Sequence, residues 1–325
     1  MPGQHRRKRH TALMLALTLL ATLAIAPAAS AEPPANRIAY ARLLDGGGAE
    51  IFTANPDGTD ERIVPLENPA EDFGIPIWSP DHQWLLITNN LRFDGNGDLR
   101  PFRPAIVRPD GSGYRLLEVP DGPFDMYCSA WSADGARIFC AFGGPDPAIF
   151  SMRASDGGDV RRVTTPPFGE ASGDVPADIS PDGTQLLFIR RMPGPAPEPQ
   201  PYRPERFALY AINVNGTNER EIVPWGIVQG HEIQGAHWSP DGKTIIGASP
   251  QGRLFTVSAK GGGLKYLKLG VEGFAFEPNW SPNGRRIIFG VFGPEQEDLF
   301  TADPDGSHVT RVSNTPGFEN GPDWR

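Results

Sequence analysis

Two histidines and a glutamine, His231, Gln234 and His237, fall within seven residues of one another. Imidazole nitrogens at such spacing are donors for a transition metal, and an amide oxygen can complete the set. They stand just before Trp238, and polar packing in an inner strand is the other use of the same side chains. Five acidic residues share a position, because Asp72, Asp125, Asp174, Glu232 and Glu319 each lie five or six residues before a recurring Trp-Ser-Pro-Asp-Gly-like segment or its equivalent. Brought to one opening, they form an acidic ring that attracts Ca2+, another cation or a basic peptide segment; a solvated polar rim is the alternative. Arginines gather elsewhere, with Arg92, Arg100 and Arg103 in one stretch and Arg190, Arg191, Arg203 and Arg206 in or beside another. Such arms grip a protein partner or an anionic glycan, or are simply solvated. Asp94-Gly95-Asn96-Gly97-Asp98 has the oxygen spacing of a calcium loop, but Leu99 and Ala105 stand where that loop needs glycine and glutamate, so a metal-free turn is expected. The chain carries no Gly-x-Ser-x-Gly elbow, phosphate-binding Walker loop, His-Glu-x-x-His helix or paired-cysteine metal motif. Binding is therefore the expected task and catalysis the minor one.

These residues must be positioned by a repeat. Trp78-Ser79-Pro80-Asp81, Trp131-Ser132-Ala133-Asp134-Gly135, Ile179-Ser180-Pro181-Asp182-Gly183, Trp238-Ser239-Pro240-Asp241-Gly242 and Trp280-Ser281-Pro282-Asn283-Gly284 recur along the chain, and Asp323-Trp324-Arg325 begins a sixth copy. Proline presets φ, aspartate accepts local hydrogen bonds and glycine takes the left-handed conformation, so each copy is a tight turn between two strands. The runs that follow, such as Leu186-Leu187-Phe188-Ile189 and Arg286-Ile287-Ile288-Phe289, are apolar on successive residues, as in strands covered on both faces. A second Asp-Gly-type turn and a polar outer strand complete four antiparallel strands per unit. The spacing predicts an all-β, six-bladed propeller. Asn36-Arg37-Ile38-Ala39-Tyr40 reads as an orphan second strand, so the N-terminal and C-terminal strands are expected to share the last blade and remove the open edge. Alternation puts the tight turns on one face. The long connections, 89–104 and the proline-rich 190–205, fall on the other, which is the expected binding face.

The Trp-Ser-Pro-Asp-Gly turn, the Ile-Phe strand and the Asp-Gly turn resemble the WD40-like repeats of the TolB propeller family across 36–325. The resemblance implies a non-catalytic propeller that binds a protein or peptide partner. TolB has an α/β domain ahead of its propeller, for which this chain leaves about four residues after the expected cleavage site. His231, Gln234 and His237 partly resemble the channel metal site of the propeller oligogalacturonide lyases, which implies, as the second reading, a metal-dependent enzyme on acidic polysaccharide.

Arg6, Arg7, Lys8 and Arg9 precede an apolar run from Thr11 to Ala26 and a small-residue site at Ala29-Ser30-Ala31. Residues 1–31 therefore read as a signal peptide and 32–325 as one exported domain, periplasmic or secreted, expected to be a monomer and not inserted in a membrane. Of 30 basic and 39 acidic residues, the segment removes four basic and no acidic ones, leaving a net of about −13. That balance excludes nucleic acid and anionic membrane surfaces as partners. Cys128 and Cys140 flank one repeat turn; a three-residue loop Ala133–Gly135 sets them opposite each other, as a disulfide or as two buried thiols.

Overall fold

A computed structural model describes residues 36–44, 48–66, 74–89, 103–117, 126–142, 147–167, 173–193, 205–228, 233–293, 297–315 and 317–325. It is all β, with six antiparallel four-stranded sheets set as blades around a central bore. The innermost strands of blades one to six are Ile77–Trp78, Met126–Trp131, Gly173–Ile179, Gln234–Trp238, Phe274–Trp280 and Phe318–Trp324. Their hairpin partners are Leu85–Asn89, Arg137–Phe142, Gln185–Pro193, Thr244–Ala248, Ile287–Phe292 and, for the sixth blade, Ile38–Leu43 from the other end of the chain. Third strands follow these, and short, exposed outer strands such as Arg62–Ile63 and Arg161–Arg162 finish each blade. No described helix is long and apolar enough to cross a membrane.

The turn chemistry is that expected, one residue longer. In blade two Ser132 N–H donates to Arg137 O at 2.8 Å, so four residues form the loop. Asp134 Oδ1 accepts from Ser132 Oγ at 2.6 Å and from Ala136 N–H at 3.0 Å, while Ser132 Oγ accepts from Arg137 N–H at 2.9 Å. Gly135 takes φ 68°; in blade one His82 occupies the same left-handed position, at φ 57°, without glycine's freedom. The extra loop residue shifts the pairing by one, and a β-bulge between Cys128 and Ala130 shifts it back. Cys128 and Cys140 thus meet as anticipated, with Cα atoms 4.0 Å apart in a disulfide, through two offsets that cancel. Comparable register shifts interrupt the innermost strands of blades three to six.

Successive apolar residues are needed because each blade is covered on both faces. Six clusters of buried side chains lie one at each interface between consecutive blades. Each tryptophan of the repeat wedges against the preceding blade: Trp131 Nε1 donates to Ile77 O and Trp280 Nε1 to His237 O, both at 3.2 Å. Closure follows the same rule, since Ile38 pairs with Trp324 and Leu43 with Phe318. Trp324, 6% exposed, packs with Ile38, Ile288 and Leu299, and its indole donates to Asn36 Oδ1 at 2.8 Å.

The stretch 190–205, read from sequence as a loop, is partly strand. Gln185–Pro193 and Glu205–Asn213 pair along nine residues each, so Arg190, Arg191 and Arg206 belong to a long hairpin. The proline-rich remainder and the Asp94–Asp98 segment lie outside the described residues. Trp324→Ala removes the wedge that closes the ring and should cost about 3–5 kcal/mol, read as a lower urea midpoint in equilibrium unfolding. An unchanged midpoint would contradict closure through this strand.

Candidate functional site

The innermost strands converge on two cavities along the bore. One, of about 330 Å3, opens on the face of the tight turns, between Trp78, Trp131, Trp238 and the prolines Pro80, Pro181 and Pro240. The larger, of about 520 Å3, opens on the opposite face among the N-terminal halves of the innermost strands. Its walls are mostly apolar: Ile75, Tyr127, Val175, Phe207, Ile233, Phe274 and Phe276 come from blades one to five. Tyr127, Val175 and Phe274 are more than a third exposed. The polar lining consists of Asp178, Glu277 and Asp323 as carboxylates and His237 and Arg325 as bases.

Two of these carboxylates tie neighbouring blades together. Asp178 Oδ2 accepts the backbone N–H of Trp238 at 2.9 Å, and Asp323 Oδ2 that of Trp78 at 2.7 Å. Asn279 Nδ2 donates to Asp323 Oδ1 at 2.6 Å. Arg325 reaches into the bore between them, 3.8 Å from Asp178 and 3.9 Å from Asp323, and it borders both cavities. Its side chain is 42% exposed, and the partial desolvation that opposes its charge is outweighed by the two aspartates, which raise its pKa. Burial likewise pushes the Asp178 carboxyl up; His237, Arg325 and the Trp238 N–H overcome it and hold Asp178 below its ordinary value.

Glu277 is different. Among the described residues it accepts the Gly321 N–H, at 2.7 Å, and no other hydrogen bond; burial raises its carboxyl above the usual range against the opposing effects of that bond and of His237. Desolvation at the cavity wall, with Glu277 nearby, raises the Tyr127 hydroxyl, although the residue as a whole is partly exposed. Glu277 sits at φ 46° in the bulge of blade five, where blades four and six place Gly235 at φ 59° and Gly321 at φ 60°.

Of the five acidic positions expected to ring the mouth, Asp72, Asp125 and Glu232 lie outside the described residues, as do Arg100, Arg203 and His231. The structure does not bring Asp174 and Glu319 together on the bore; it closes each into an ion pair inside its own blade. Asp174 is gripped by Arg190 through two bonds of 2.7 and 2.8 Å, and Arg190 also reaches Glu219 at 2.6 Å. Glu319, fully buried, binds Arg42 at 2.9 Å and Ser313 at 2.9 Å, and Arg42 reaches Glu61 at 3.1 Å. The same device serves both blades, with the arginine lying over an aromatic ring, Phe52 at 4.2 Å or Tyr210 at 4.9 Å. The bulge explains the difference. A regular strand would put positions one and five before the tryptophan equivalent on one side, and one extra residue between them turns the farther one away from the bore. The bore acids sit one and three residues before that position, a signal readable in Asp178, Asn279, Asp323 and Glu277 had the bulge been known.

Gln234 lies in the innermost strand of blade four, paired with Ala248, and His237 Nδ1 is 3.7 Å from Asp178 Oδ2. Among the described residues no three His, Cys, Asp or Glu side chains converge as a metal site.

No family model matches the chain. It is 24% identical over 309 residues to an uncharacterized protein of Agrobacterium fabrum, Atu1656, covering 78% of this chain and 97% of that one. TolB from Acinetobacter baumannii superposes with a TM-score of 0.67 at 18% identity, covering 89% of this chain; the chain spans 66% of that TolB. An oligogalacturonate lyase in complex with manganese superposes with a TM-score of 0.50 at 13% identity, over 85% of this chain and 72% of the lyase. These likenesses establish a TolB-like propeller fold. If Asp174 serves its blade, Arg190→Met, which strands that buried carboxylate, should cost about 3–5 kcal/mol in urea unfolding. Little loss of stability would contradict a structural role.

Proposed function

We propose that this protein is an exported, non-catalytic propeller that binds a protein or peptide partner through the loop-rich face and the mouth of its central bore. The observation that carries the reading is the 520 Å3 cavity on that face, walled by apolar side chains from successive blades and floored by carboxylates. The mixture suits a peptide, whose side chains fill apolar hollows while its polar groups meet the floor. The opposite face offers tight turns whose polar groups are already bonded to one another. Asp72, Asp125 and Glu232, with Arg100 and Arg203 on the long connections, are proposed as additional contacts at the rim.

Export rests on the basic and apolar N-terminal segment, proposed as a cleaved signal peptide 1–31 ahead of a single monomeric domain 32–325. The Cys128–Cys140 disulfide fits an oxidising compartment, periplasmic or extracellular.

The experiment is photocrosslinking in cells with a photoreactive residue replacing Tyr127 or Phe274 on the loop-rich face, or Lys260 on the turn face, where Ala259 N–H bonds Lys243 O. Adducts are expected from the first two positions and none from Lys260. Adducts from Lys260 alone would overturn the reading.

A further inference from the structure

We infer that the loop-face cavity receives a basic side chain, a lysine or arginine flanked by apolar residues in an extended peptide, with Glu277 as its counter-charge. This rests on the loop-rich face being the binding surface and goes further by fixing the chemistry of what enters. The three carboxylates of the cavity are unequally engaged. Asp178 and Asp323 each hold a backbone N–H of the next blade and share the charge of Arg325. Glu277 has one backbone N–H, His237 as a nearby base, and no lysine or arginine partner among the described residues. Glu277 is half-buried at the cavity wall, and a carboxylate held among apolar side chains with so little compensation gains from a cation supplied from outside.

The walls match such a cation. Tyr127, Phe274 and Phe276 line the same cavity as the glutamate, surfaces suited to an arginine plane or the alkyl stem of a lysine. Phe276 is fixed, because its ring packs so closely on Gly290 that an added Cβ there would fall 2.2 Å from it. The bore already accommodates one guanidinium, that of Arg325 between two aspartates. Other ligand classes fit poorly. An anion would face three carboxylates against an arginine already engaged, and a purely apolar group would bury Glu277 without a partner.

The left-handed backbone of Glu277 separates its binding role from any structural one. Its bulge position is glycine in both adjacent blades, so Glu277→Gly relieves the backbone while removing the charge. Glu277→Gln keeps an acceptor for the Gly321 N–H and removes only the charge.

The test is a random heptapeptide phage library selected on the mature protein. Selected sequences are then synthesised and measured by calorimetry against the wild type, Glu277→Gln and Glu277→Gly. The expected result is enrichment of lysine or arginine next to aromatic or aliphatic residues. Affinity should fall about tenfold or more in both variants, with their melting temperatures close to the wild type. Selected peptides without basic residues, or basic ones that bind both variants as tightly as the wild type, would overturn this inference; if they still block crosslinking at Phe274, the loop face remains the binding surface. A library that yields no loop-face binder would overturn both.

Discussion

The pairing of Phe318–Trp324 with Ile38–Leu43 is the contact on which the rest of the structure depends. It joins residues about 280 apart in sequence, as in Arg42 with Glu319 and Asn36 with Trp324. The entropy of closing so large a loop grows only logarithmically with its length, so the cost is modest beside what the strand contributes once in place. One face of it supplies Trp324 to the cluster between blades five and six. Its side chains at the bore supply Asp323, which holds the Trp78 N–H of blade one, and its bulge supplies the Gly321 N–H to Glu277 of blade five. Without this strand Ile38–Leu43 becomes an unpaired edge and the cavity loses Asp323 and the Gly321 N–H.

Charged groups in the molecule fall into two kinds of work. Arg42 and Arg190 are each held between an acid on the innermost strand and an acid beside the outermost one, over an aromatic ring, and these sets lock strands within a blade. Burial and neighbouring charge both bear on them: Asp174 is raised by desolvation despite Arg190, while the arginines are raised by their carboxylates. In the bore, Asp178 and Asp323 lock one blade to the next. Glu277, with no lysine or arginine partner among the described residues and His237 as the base near it, lines the cavity at a backbone angle that favours glycine.

Much of this architecture was legible in the sequence, because turns carry their chemistry in a few residues. Ser-Pro-Asp-Gly specifies a hydrogen-bonded loop, and its sixfold recurrence with a truncated last copy specifies blade number and closure. Register was less legible. Nothing in the sequence of Met126–Trp131 marks Ser129 as the bulged residue, and a three-residue turn pairs Cys128 with Cys140 only because the missing loop residue and the bulge offset each other. A regular strand places Asp174 and Glu319 at the bore, whereas the bulge turns them into the ion pairs of their blades. Arg190 was assigned to a loop because the prolines after it read as the start of a linker, whereas the hairpin runs on to Pro193 before it ends. Glu277 carries no such signal, because its blade breaks the acidic pattern at the expected distance and its equivalence to Gly235 and Gly321 lies in the shared bulge position, which is a property of the fold.

The central claim is that the loop-face end of the bore is where a partner is held. Amide hydrogen exchange of the mature protein with and without a bound peptide tests it most directly, because it reports every blade at once and needs no substitution. The account predicts added protection in the N-terminal halves of the innermost strands, at 126–129, 173–177 and 274–277, with the tight turns at 133–136, 181–184 and 240–243 unchanged. Protection confined to those turns would contradict it.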